Sequence, residues 1–274
     1  SSWDGLFNAF EVPGSKLYRI TVCRRMEELQ GEEQVLVNAS IKGAPVAVRK
    51  GFVQKVYGIL TMQLALTVLI ATEIVLLAGA SGDVAAWITR HEWLLWVSVF
   101  GTFSVMCCML CCRDLMRRFP TNYIFLFTFT AFEAILIGLV STMFTPQSLL
   151  LAAGVTTLIF LALTVYAMQA NTDFTGSAPY LFAGFLALFI FGLILGLLPL
   201  MGVPISISTA IYDCLGVLLF SFAIIFDTQL MLGEWGGHKV AVSIDEYVFA
   251  ALNLYMDIIN IFLHVLSLFG ERRR

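Results

Sequence analysis

The sequence is short of charge. Lys, Arg, Asp and Glu together make 13% of its 274 residues, and long stretches hold none. A soluble domain carries about 25% charged residues, so a chain wetted over its whole surface is excluded. Histidine is scarcer still: His91, His238 and His264 stand far apart and form no pair at metal-ligand spacing. Lysine nearly vanishes after Lys55, the one later example being Lys239 in a polar loop. A retinal Schiff base needs a lysine inside a late span, so a retinal protein is excluded. No Gly-rich phosphate loop and no nucleophile–base constellation occurs, so no enzyme is expected. The six cysteines are Cys23, Cys107, Cys108, Cys111, Cys112 and Cys214. None sits in a long loop, which argues against an extracellular disulfide scaffold. Basic residues come in short groups, so nucleic acid is not an expected partner.

What the chain has instead is apolar length. Hydrophobic residues make 59% of it and the mean hydropathy is +0.88. Seven runs reach the roughly 20 residues that cross a bilayer: Phe52–Gly79, Trp93–Cys112, Tyr123–Phe144, Leu149–Met168, Tyr180–Leu200, Ile205–Met231 and Tyr247–Phe269. Lipid offers no partner for an open strand edge, so each run must be helical. The predicted fold is an all-α membrane protein, a seven-helix bundle over 48–274 behind a polar extension, 1–47. That extension reads as a solvated tail with a short amphipathic helix near 16–30, or as a docking arm for a partner. Its Ser1-Ser2 start leaves removal of an initiator Met and cleavage of a targeting peptide both open. Lys16, Arg19, Arg24, Arg25, Lys42, Arg49, Lys50, Lys55, Arg113, Arg117, Arg118 and Lys239 fall on one side of this bundle. Arg90, Arg272, Arg273 and Arg274 fall on the other. The bias puts the N-terminus on the cytosolic or matrix side. The sequon Asn38-Ala39-Ser40 then lies on the wrong side for glycosylation. A last span that re-enters and returns is the alternative topology.

Within the runs a few polar residues stand out. Asp227 and Asp257 lie inside the last two runs, and a carboxylate in hydrocarbon costs roughly 2.5–3.5 kcal/mol on insertion scales. Counting from the shared inner side brings them to similar depth. If they meet, both cannot be ionised cheaply, and the pair titrates as a unit around a shared proton. Protonated, it is closed; deprotonated, it can hold a cation. Ca²⁺ takes six to eight oxygens and two carboxylates supply four at most, so binding is weak and suits a leak. Asn253, Asp257, Asn260, His264 and Ser267 recur at helical spacing on one face, either as interhelical hydrogen bonds or as the lining of a hydrated path. Asp213 and Glu133 are further candidates for that lining, whereas Glu73 lies close to the outer end. Cys107, Cys108, Cys111 and Cys112 read as helix packing or palmitoylation sites. Gly192 and Gly196 form a small-xxx-small motif, weak grounds for a dimer.

Several stretches together resemble one family. They are Val48-Arg49-Lys50-Gly51-Phe52-Val53-Gln54-Lys55-Val56-Tyr57 with Gln63 and Thr67, Arg117-Arg118-Phe119-Pro120-Thr121-Asn122, Asn171-Thr172-Asp173-Phe174-Thr175, Phe226-Asp227-Thr228-Gln229-Leu230-Met231-Leu232-Gly233, and Asp245-Glu246-Tyr247 through Asp257-Ile258-Ile259-Asn260. The chain is identified by them as similar to the Bax-inhibitor/Lifeguard family (transmembrane Bax-inhibitor-motif proteins), nearer the Lifeguard branch. The resemblance implies a central last helix ringed by the others. It implies Ca²⁺ leak gated by pH through an aspartate pair, onto which Asp227 and Asp257 map, and no cofactor beyond transient Ca²⁺. It also implies suppression of cell death and Ca²⁺ homeostasis in the endoplasmic reticulum, Golgi, plasma membrane or mitochondrial inner membrane. Some bacterial members set a basic residue of the second helix against the pair; here the second span has none. A structural or accessory subunit of a larger organelle assembly, bound through 1–47 and the loop 234–246, is the competing expectation.

Overall fold

A computed structural model describes residues 46–111, 119–202, 206–232 and 246–273. The helix near 16–30, the docking arm, the sequon, Cys23, Cys112, Arg113, Arg117, Arg118, Lys239 and the rest of the loop 234–246 before Glu246 lie outside the described residues.

Helix α1 runs Val46–Ala80, α2 Val84–Arg90, α3 Glu92–Cys111, α4 Thr121–Ser141, α5 Pro146–Gln169, α6 Ala178–Leu197, α7 Ser206–Leu232 and α8 Tyr247–Phe269. All but α2 are long and apolar enough to cross a membrane. The protein is therefore an all-α bundle of seven membrane helices. Two features go beyond the apolar runs. First, α1 starts at Val46, because its helix continues through the charged Arg49-Lys50 turn; its 35 residues make ~52 Å, against a hydrocarbon core of about 30 Å. Second, α2 follows a turn at Gly82, whose φ of 78° lies in the region glycine enters at no steric cost. The Asp83 side chain then caps α2 by accepting from the Ala86 N–H at 3.0 Å.

The centre belongs to α8. It packs against α7, α1, α5 and α4, and 67% of its apolar window is buried, against at most 44% in any other span. Tyr255, Leu254 and Ile261 on α8 are fully enclosed, as are Phe129 and Leu126 on α4. Two pairs of polar side chains in this core bond across helices. The hydroxyls of Thr67 and Tyr255 meet at 2.9 Å, and Gln63 Nε2 donates to Thr130 Oγ1 at 3.0 Å. Such bonds hold helices together where packing gains nothing from water.

The chain's tail closes one end. The Thr145 N–H donates to the Glu271 carbonyl at 3.0 Å and the Arg273 N–H to the Met143 carbonyl at 2.8 Å. The Glu271 N–H donates to Ser148 Oγ at 2.9 Å. These bonds fix the tail to the α4–α5 turn, at the opposite end of the bundle from Val46. With α8 unbroken from Tyr247 to Phe269, the re-entrant last span is ruled out. We call this the C-terminal end, and the other the N-terminal end. The glycine motif also has an internal use: a Cβ at Gly192 would come within 2.9 Å of the Tyr212 hydroxyl, so Gly192 makes room for α7.

Helices α4 and α1 approach closely at Gly138. A Cβ built at Gly138 lies 3.1 Å from the Ala71 Cα and 2.8 Å from Ile74 Cδ1. Backbone cannot retreat as a side chain can. Gly138→Val is expected to lower stability by about 1–3 kcal/mol, read as a lower thermal unfolding midpoint in detergent; an unchanged midpoint would show that the helices part freely there.

Candidate functional site

Asp227 lies five residues before the end of α7 at Leu232, and Asp257 ten residues into α8 from Tyr247. At the helical rise those positions are ~7.5 Å and ~15 Å below the N-terminal end. Asp257 is 5% exposed, and its Oδ2 is buried without a hydrogen-bond partner. Asp227 is half-buried. The two are electrostatic neighbours, close enough for one charge to act on the other, while no hydrogen bond joins them among the described residues.

The other aspartate of α7 is in a different state. Asp213, 4% exposed, accepts on both oxygens. His264 Nδ1 lies 2.8 Å from its Oδ1, and Ser267 Oγ donates to its Oδ2 at 2.5 Å. The imidazole is 8% exposed, with Tyr212 edge-on at 5.3 Å and Phe220 at 5.9 Å between ring centres. Gly216 makes this possible, because a Cβ there would run into the imidazole. The contact also fixes register. Asp213 to Asp227 spans ~21 Å of α7, whereas Asp257 to the His264–Ser267 level spans only ~10–15 Å of α8. The offset leaves Asp227 nearer the N-terminal end than Asp257, in line with their lack of a direct bond.

The remaining candidates scatter. Asn260 Nδ2 donates to the Met256 carbonyl of its own helix at 2.7 Å. Asn253 is exposed near the start of α8, Glu133 is half-buried on α4, and Glu73 is exposed on α1. The polar face of α8 is thus one stripe in the sequence and four environments in the fold. Among the described residues no three His, Cys, Asp or Glu gather to hold a metal, and Cys107, Cys108, Cys111 and Cys214 are free thiols.

Residues 49–274 match the family model described as Inhibitor of apoptosis-promoting Bax1. The chain belongs to the Bax1-I family. It is 34% identical over 224 residues to Protein LIFEGUARD 4 of Arabidopsis thaliana, covering 81% of this chain and 85% of that one. It is 31% identical over 226 residues to human Protein lifeguard 3, covering 82% and 70%. It is 33% identical over 239 residues to the Golgi anti-apoptotic protein of Vaccinia virus (strain Lister), covering 86% and 92%. Members of this family are anti-apoptotic membrane proteins.

Much of the text that carries the family resemblance turns out to be fastening. Gln229 accepts from the Phe174 N–H at 2.8 Å and donates to the Thr172 carbonyl at 2.9 Å, joining α7 to the α5–α6 link. Asp173 Oδ1 accepts from the Thr175 N–H at 2.8 Å and its hydroxyl at 2.6 Å, shaping the same link. Arg49 Nη1 reaches the Leu232 carbonyl at 3.5 Å, a cation at the negative end of α7. Lys55 lies over the Tyr247 ring, 5.3 Å from its centre. The roles of Gln229, Arg49 and Lys55 were hidden in the sequence because each joins residues far apart in the chain.

The Asp213 cluster can be checked by a double-mutant cycle. Asp213→Asn and His264→Gln should each lower stability by about 1–3 kcal/mol. Together they should cost less than the two losses added, with a coupling of about 0.5–3 kcal/mol in unfolding midpoints. Strict additivity would mean that the pair is not formed in solution.

Proposed function

We propose that the protein is a Ca²⁺ leak pathway of an internal membrane that restrains cell death, with Asp227 and Asp257 as its pH-sensitive gate. The observation that supports this reading is the buried, unpartnered Oδ2 of Asp257 beside a second carboxylate. Every oxygen of Asp213 finds a donor, so this fold can satisfy an intramembrane acid; at Asp257 it does not. A costly group left unmet is a functional candidate in a membrane helix. Ionised, the two carboxylates attract a divalent cation. With four carboxylate oxygens at most, the site leaves Ca²⁺ part of its water, so the ion is passed on rather than stored. Acidification protonates the pair and removes the charge, so flux falls as pH falls. The names of the relatives support the link to cell death, and the viral Golgi protein supports an internal membrane. The basic residues flanking α1 support an N-terminus on the cytosolic or matrix side.

Reconstituted in liposomes with an enclosed Ca²⁺ indicator, the protein is expected to pass Ca²⁺ faster at neutral than at acid pH. Asp227→Asn and Asp257→Asn should each reduce the neutral-pH flux by about tenfold, equivalent to ~1.4 kcal/mol, and flatten its pH dependence. Unchanged flux and pH profile in both variants would end this reading.

A further inference from the structure

A groove opens sideways between α1 and α5, with α8 as its floor. It encloses about 960 Å³. Leu64, Ala71 and Leu76 form one wall, Leu149 and Ala153 the other, and Ile258 lies beneath. From Leu64 to Ala80 it follows ~24 Å of α1. Half of a whole bilayer, headgroups included, is about 20–22 Å, so the groove runs the depth of one leaflet, the one at the C-terminal end.

Its mouth is marked by a cation. Arg273 lines the groove there, held by the backbone bond to Met143. A Cβ at Gly79 would lie 4.0 Å from its Nη1, in ordinary contact, which places the guanidinium beside the end of α1 at the opening. No carboxylate among the described residues pairs with Arg273. Two acids stand in the same region: Glu271, exposed in the tail, and Glu73, exposed in a neighbouring shallow recess of α1. Neither is a groove-lining residue. An apolar slot one leaflet deep, with a free guanidinium at headgroup level, complements an amphiphile of matching length with an anionic head.

We propose that this groove binds one phospholipid of net negative charge, an acyl chain between α1 and α5 and the phosphate on Arg273. The full-length protein, purified in detergent, is tested by native mass spectrometry with phosphatidylglycerol or phosphatidylcholine of identical chains. The wild type should retain one phosphatidylglycerol about tenfold better than phosphatidylcholine, a gap of ~1.4 kcal/mol. Arg273→Gln should remove that preference, and Ala153→Phe, which fills the slot, should abolish retention of both. Excess glycerol 3-phosphate should not displace the lipid; displacement would show a headgroup site alone and overturn the groove. Equal retention of both lipids by the wild type would also overturn it. A measurement on unaltered protein guards against a variant that misfolds. Retained phosphatidylglycerol with a photoreactive chain should label segments 64–80 and 146–157; labelling confined to α3 or α6 would refute the assignment.

Discussion

Hydrocarbon gives a polar group no partner, and the rest of the bundle follows from how α8 meets that constraint. The middle of its polar stripe, with Asp257 and His264, could not face lipid, so other helices cover it. That is why the last span is the most enclosed, and why α1, α4, α5 and α7 are its neighbours. The same constraint sorts the interior into bonded pairs. Tyr255 with Thr67 and Gln63 with Thr130 are polar side chains brought in together, each of which would be expensive alone.

Two aspartates on one helix then diverge in chemistry. Asp213 is met by an imidazole and a hydroxyl and has become part of the scaffold. Asp227 has another acid within electrostatic reach, and that acid keeps an oxygen without a donor. Residue type does not separate these cases; what stands opposite does. The family's shared text shows the same division, with Gln229, Asp173 and Arg49 tying segments together while Asp257 keeps an oxygen without a donor.

The seven spans were legible because bilayer thickness sets a length that composition alone reveals. The central place of α8 was implied by the family resemblance, and the burial of Asp257 and His264 on one face of its run gives the physical reason. The unforeseen start of α1 lies among charged residues, where hydropathy falls although the backbone stays helical. Helix α2, at seven residues, is too short for an apolar period to reveal it. Periodicity names the face a residue occupies and not the partner it meets, so His264 read equally as an interhelical bond or as path lining, and its bond to Asp213 bears out the first. For the same reason Gly216 carried no signal: its meaning depends on an imidazole on another helix. Gly192 read as a site of close helix approach, and the helix that approaches is α7 of the same chain, through Tyr212.

The bonds between α7 and α8 are unevenly distributed. At the C-terminal end Asp213 ties the helices through two side chains, and the tail after α8 is stitched to the α4–α5 turn. At the N-terminal end no side-chain hydrogen bond links the two helices among the described residues. Drawing them apart there ruptures no such bond, whereas doing so at the other end ruptures two. The pair is built like tweezers, joined at one end, with Asp227 and Asp257 toward the tips.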